Sequence, residues 1–254
     1  MIVMDCESRE SALASVSQIY GVSGIEIDGF LQAFDLEAHY ENSDPKYPGD
    51  QELRRIFECS LDCRASRLDR VFWFHLTRVR PGADFAEGIQ PLSVSLECVW
   101  QTILNVFRGT EHETRLLNMR RNGVPNFHYE LKADDALHAG PYAMMVRAVA
   151  TRSEEIGNHN YLWLPEIMED ICNGYLGAYG TALHTELSQA LTPTIVKFWS
   201  AKRCGIDCVE AALFYLHQTA HAERLSLGSN TCFDGENQTV LPEQVVKVES
   251  LAAS

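Results

Sequence analysis

An imidazole, a hydroxyl and a guanidinium fall within four residues at His75, Thr77 and Arg78, directly after the large apolar run Val71, Phe72, Trp73 and Phe74. Near neutral pH an imidazole donates or accepts a proton, a hydroxyl does either in a hydrogen bond, and a guanidinium is a fixed cation suited to phosphate. Brought together where the chain leaves the apolar interior, the three predict a ligand site at a strand end. Two more segments carry groups of the same kind. Tyr142 opens the apolar run GPYAMMVRAVA, and Glu236 and Gln238 follow Gly235 near the C-terminus, offering a phenol ring, a carboxylate and an amide.

The elements that must hold these groups follow from residue type. Val71–Phe74 is β-branched and aromatic, which favours a strand, and the run stops at His75. Pro81 and Gly82 then predict a turn, Asp84 caps a short helix carrying Phe85 that Gly88 ends, and Ile89, Pro91 and Leu92 return to an extended course. Residues 140–150 read as a buried strand entered through a Gly-Pro turn, and Gly235 as the turn between two alternating segments. Strands are expected near 71–76, 126–132, 140–150, 193–200 and 230–248. Helical spacing marks SLECVWQTILNVF, LPEIMEDICNGYLGAYGTALHTELSQAL and GIDCVEAALFYLHQTAHAERL. Without regular β-α-β alternation, the order predicts an α+β protein with a split mixed or antiparallel β core surrounded by helices.

The stretch VFWFHLTRVRPGADFAEGIQPL resembles the opening of the ADP-ribosyltransferase fold, including its tRNA 2'-phosphotransferase branch, in which a strand ends in His-x-Thr before a short helix and a GI-x-P segment. The C-terminal TCFDGENQTVLPEQVVKVESL is similar to the closing hairpin of that family, which carries Glu-x-Glu, an apolar run, prolines and a final strand. The resemblance implies that His75 and Thr77 hold the ribose and amide of NAD, that Arg78 meets a phosphate and that Tyr142 stacks on nicotinamide. Glu236 or Gln238 would then be the catalytic group. In register, Gln238 stands where the family has its catalytic glutamate. An amide can bind a ribose hydroxyl, but it cannot stabilise the positive charge that develops as nicotinamide leaves. Either Glu236 serves in a shifted register, or a nucleotide binds without transfer.

Other clusters weigh less. The pairs Cys59/Cys63 and Cys204/Cys208 share C-x3-C spacing but sit in helical, amphipathic surroundings, so core thiols are preferred to zinc and no metal is expected. His159, Glu166, Glu169 and Asp170 could bind a cation, yet a helix starting after Pro165 accounts for carboxylates in a first turn. His217 and His221 lie four apart, but Gln218 cannot be the general base of an HExxH site, so an exposed helix face is expected. Arg115, Arg120 and Arg121 read as a solvated helix end. P-loop, GxGxxG and GxSxG patterns are absent, which removes the P-loop, Rossmann and serine-hydrolase classes.

The chain has 254 residues, 46% hydrophobic, with a net charge of −14, which argues against an extended nucleic-acid surface. Acidic residues stand at the N-terminus where a signal peptide needs basic ones, and no apolar run is long enough for a membrane span. A cytoplasmic protein with reduced thiols and no membrane partner is expected. Residues 1–70 read as an acidic helical segment, with SALASVSQIYGVSGIEIDGFLQAF as two helices joined at residues 21–24, and 71–254 as the α+β domain. The second of those helices lacks a base-reading cation. The expected function is NAD-dependent ADP-ribosyl transfer to a macromolecular acceptor, which would suit a toxin, defence or host-manipulation role. The alternative is a noncatalytic acidic interaction protein, an inhibitor or adaptor. A small-molecule enzyme with a pocket away from His75 is a third reading.

Overall fold

The computed structural model describes residues 1–134 and 140–252. After β1 (Val3–Met4) come four helices, α1 (Arg9–Tyr20), α2 (Gly24–Ala33), α3 (Leu36–Asn42) and α4 (Gly49–Ser60), and then the long strand β2 (Arg70–Val79). Helices α5 (Leu92–Val106), α6 (Glu111–Asn122) and α7 (Phe127–Asp134) precede β3 (Tyr142–Met144) and the one-turn α8 (Ser153–Ile156). The chain continues through α9 (Glu166–Tyr179), α10 (His184–Ala190), β4 (Thr192–Ser200), α11 (Ile206–Ala220), β5 (Cys232–Asp234) and β6 (Val245–Ser250). The strands form one open sheet in the order β5-β3-β2-β4-β6, with β1 also beside β2. β3 runs antiparallel to β2, pairing Met144 with Phe74, and β1 runs parallel to it, pairing Val3 with Arg70. The class is α+β, as the order of elements predicts.

Two compact units are built from interleaved segments. The first comprises Met1–Phe74, Ala143–Asn158 and Phe198–Phe233. In it α11 packs on α1, α2 and α4, burying Ile19, Ile27, Leu31, Leu53 and Phe57 with Leu213 and Leu216. Its helix boundaries follow local chemistry. Ser8 and Ser23 each close a capping box, and Gly21 ends α1 in the left-handed region. The second unit comprises His75–Tyr142, His159–Lys197 and the chain from Asp234 onward. Trp100, Ile103, Phe107, Leu116, Ile171 and Tyr175 fill a helical core there, in which α5 meets α6, α7 and α10, and α7 meets α9.

Four sequence expectations are corrected. β2 does not stop at His75 but continues to Val79. The segment expected as a strand at 126–132 is helix α7. Asn126 accepts from the Tyr129 amide and starts that helix, so a local side-chain bond outweighs the alternation seen in sequence. The run at 140–150 is a strand only over Tyr142–Met144 and then tightens into a 3₁₀ turn at Arg147–Thr151. The expected helix after Asp84 is a turn. There the Asp84 carboxylate accepts from the Ala86 amide two residues on, and Phe85 takes a positive φ of 55°. Ile89 then pairs with Val240.

Among the described residues no helix is long and apolar enough to cross a membrane. None of the eight cysteines forms a disulfide among the described residues, and Cys6, Cys172 and Cys208 lie in the core. Burial raises the Cys172 thiol to about 12.

Candidate functional site

Strand alternation decides which groups of β2 can act together. Successive side chains point to opposite faces, so His75 and Thr77 share one face and Arg78 lies on the other. Extension of the strand past His75 therefore separates the guanidinium from the imidazole and hydroxyl that the sequence places beside it.

Arg78 is buried, with its Nε and Nη1 engaged. Its Nε donates to the Leu162 carbonyl at 2.6 Å, and its Nη1 donates to the carbonyls of Leu191, at 2.9 Å, and Ser188. Ser188 and Leu191 stand at the C-terminal end of α10, so the guanidinium bonds carbonyls of its last turn, where Ser188 also accepts from Leu191 N–H at 3.4 Å. Burial holds its pKa below the usual arginine value, although the group stays charged. The expected phosphate contact gives way to a structural one, because the strand aims this side chain at main-chain oxygens.

His75 is half-buried, and its Nδ1 donates to the carbonyl of Tyr142 at 2.7 Å. Burial lowers its pKa below the ordinary histidine value, and the bond to Tyr142 only partly opposes this. The neutral ring thus carries its proton on Nδ1, which leaves Nε2 as a base and hydrogen-bond acceptor.

Tyr142 follows the cis Gly140–Pro141 peptide, and its side chain is 41% exposed. A Cβ at Gly140 would lie 3.0 Å from Cδ2 of the Tyr142 ring, so the ring packs directly over that glycine. The C-terminal turn meets the same corner. Gly235 N–H donates to the Pro141 carbonyl at 3.0 Å, and Asn237 N–H donates to the Gly140 carbonyl at 2.9 Å. A Cβ at Gly235 would collide with Cδ of Pro141, which explains glycine at this position.

Glu236 and Gln238 do not lie on a strand. Gln238 N–H donates to the Gly235 carbonyl at 3.0 Å while Glu236 and Asn237 have φ of 52° and 60°, the pattern of a type I′ turn. Both side chains are exposed. Both residues of the expected hairpin thus lie in its turn. Ser93, at the start of α5, donates its hydroxyl to Asn237 Oδ1. Neither residue was marked by the sequence; the only signal was the Asn in a Gly-Glu-Asn turn, which favours left-handed backbone.

The remaining polar clusters are structural. Glu166 and Glu169 do sit in the first turn of α9, as expected. Lys132 bridges Asp170 at 2.7 Å and Glu166 at 3.0 Å, and Tyr161 donates to Glu166 at 2.8 Å. His217 is buried rather than on an exposed helix face. Its Nε2 donates to the Phe34 carbonyl, and His221 Nε2 donates to the Leu31 carbonyl, each at 2.9 Å. The pair covers the C-terminal end of α2. Among the described residues, no group of three or more His, Cys, Asp or Glu is arranged to hold a metal.

No protein-family model, curated protein or solved structure matches this chain. The class defined by fold and site is therefore an α+β protein in which a strand histidine, a tyrosine after a cis-proline and a type I′ turn meet within one unit.

Proposed function

We propose that the corner formed by His75, Tyr142 and the 235–238 turn binds NAD or a related ADP-ribose compound, and that Glu236 supports ADP-ribosyl transfer to a macromolecular acceptor. The observation that carries this reading is the meeting of three segments far apart in sequence. The imidazole of His75 is tied to Tyr142, and the Gly140–Pro141 carbonyls are tied to Gly235 and Asn237.

In this reading the exposed ring of Tyr142 stacks on nicotinamide. The lone pair of His75 Nε2 accepts from a ribose hydroxyl, and Thr77, on the same face of β2, adds a second polar contact. Arg78 takes no part, since it lies on the other face of β2 with its Nε and Nη1 spent on carbonyls. The bond between the ribose carbon and the nicotinamide nitrogen breaks with its electron pair leaving on nicotinamide, and the Glu236 carboxylate stabilises the cation left behind. The acceptor attacks from the opposite face and gives up one proton. A protein side chain, a nucleic-acid group or water can fill that role.

The test is incubation of purified protein with NAD, following nicotinamide release and the shift in melting temperature. Folded wild-type protein that gives neither response overturns the proposal. Glu236→Gln is expected to keep the thermal shift and lose release, whereas Gln238→Glu raises release by restoring an acidic pair.

A further inference from the structure

The first compact unit contains a groove of about 630 Å³, within the size range of pockets that take organic ligands. Its walls come from the start of α4, from α8, from α11 and from the 3₁₀ turn Leu227–Ser229. Asp50, Glu154 and Glu155 supply three carboxylates, Phe214 and Leu227 supply apolar surface, and no lining residue is basic. Leu227 is 71% exposed. Gly49 and Gly228 each stand where a Cβ would come within 3.2 Å of the Phe214 ring, so the absence of side chains there keeps the groove open beside it.

The carboxylates of this unit divide into two sets. Glu52 pairs with Arg55 and hydrogen-bonds His39, Glu58 pairs with Arg54 and Arg64, and Glu210 with Arg54. Glu155 accepts from the Leu225 amide at 3.1 Å and pairs with Arg152 at 3.6 Å. By contrast, the Asp50 and Glu154 carboxylates make no hydrogen bond or ion pair among the described residues. Asp50 gains from the first turn of α4, but Glu154 belongs to a single helical turn with little dipole to offer. Burial is the main reason Glu210 titrates above the ordinary glutamate value, and Asp50 adds to it through its charge. A cation seated in the groove relieves that repulsion.

We propose that the groove docks an extended basic segment of a partner protein, setting an arginine or lysine head against Asp50 and Glu154 with its apolar stem across Phe214 and Leu227. Long cationic side chains have this divided character, an apolar stem and a charged tip. Exposed Leu227 beside Phe214 offers apolar contact beyond one methylene stem, which favours a peptide carrying apolar side chains over a free polyamine. The proposal is independent of the NAD reading, because every lining residue belongs to the first unit.

Fluorescence anisotropy with a fluorescein-labelled Arg-Leu-Lys repeat peptide tests it, at low and at physiological ionic strength. Saturable binding is expected, weakened roughly tenfold in the Asp50→Asn/Glu154→Gln double variant. A control with the same loss of charge, Glu130→Gln/Glu243→Gln on exposed positions elsewhere, is expected to bind as wild type. Gly228→Leu, which fills the space beside Phe214, is expected to abolish binding; if it melts early, the charge variants decide. Equal weakening in both double variants, or no binding by wild type, overturns the proposal. Complete displacement of the peptide by spermine at the peptide's own Kd also overturns it, in favour of a small cation.

Discussion

His75 Nδ1 donates to the carbonyl of Tyr142 at 2.7 Å, which joins the middle of the longest strand to the residue after the cis-proline and fixes the tautomer of the ring. The lone pair on Nε2 exists only while the imidazole is neutral, and burial favours that state by lowering the pKa. The NAD-induced thermal shift is therefore expected to be constant above about pH 6.5 and to fall only at more acidic pH, below the depressed folded-state value. His75→Ala is expected to remove the shift at every pH. A shift that His75→Ala leaves intact would rule out a role for this ring in binding.

Arg78 provides a prediction of the opposite kind. Replacing it by Met leaves the carbonyls of Leu162 and Leu191 without their donor, and that of Ser188 with only the Leu191 amide, a loss of about 3 kcal/mol. Arg78→Lys is expected to recover little, because one ammonium cannot reproduce a planar fork reaching three oxygens. Urea denaturation measures both. Below the transition, the NAD response of the folded Met variant is expected to match wild type, since the guanidinium lies on the other face of β2; selective loss of NAD binding without loss of stability would return Arg78 to the ligand.

How far the sequence showed this arrangement depends on the range of the interaction. The capping boxes at Ser8 and Ser23, the glycine end of α1 and the apolar faces of α5, α9 and α11 follow from neighbours within one or two helical turns, and they were legible. The end of β2 was not. His75 looks like a terminus because a polar residue interrupts an apolar run, yet the strand continues and the Tyr142 carbonyl, 67 residues later, accepts a hydrogen bond from its ring. Arg78 reads as an anion site until the C-terminal end of α10, more than a hundred residues away in sequence, absorbs its donors. The groove in the first unit escaped notice because its carboxylates come from segments about a hundred residues apart. Only the fold shows that Asp50 lacks the arginine its neighbour Glu52 has.

Gly88 tests the pairing that brings the C-terminal segment to the corner. It has φ of 78°, and an added Cβ would collide with the carbonyl oxygen of Val240, the atom that accepts from Ile89 N–H at 2.9 Å. Gly88→Ala thus combines left-handed strain with a backbone clash and is expected to destabilise the protein by about 2–3 kcal/mol. Gly82→Ala, where φ is 84° and nothing lies within 4 Å, isolates the strain alone and is expected to lose about 1 kcal/mol. Equal melting temperatures for the two variants would mean that the Val240 contact is not held in solution.

His217 is expected to make the first unit less stable in acid. Its Nε2 is committed to the Phe34 carbonyl, and its Nδ1 is buried without a hydrogen-bond partner among the described residues. Burial is the main cause of its lowered pKa and His221 adds to it, while the Phe34 carbonyl and the charges of Glu223 and Asp35 oppose it. A histidine whose folded-state pKa is depressed binds fewer protons folded than unfolded, so stability increases with pH across that interval. The contribution is complete above about pH 6.5, where the unfolded ring is neutral, and is lost progressively as pH falls toward the folded value. His75 acts with the same sign, so the two must be separated by substitution. Gln at position 217 can keep a donor for Phe34 and does not titrate. Urea midpoints measured from about pH 8 down to about pH 5 are therefore expected to fall less in His217→Gln than in wild type, with the two proteins closest at the alkaline end. Parallel curves would show that the buried ring does not control acid stability, and a steeper fall in the variant would reverse the sign assigned to it.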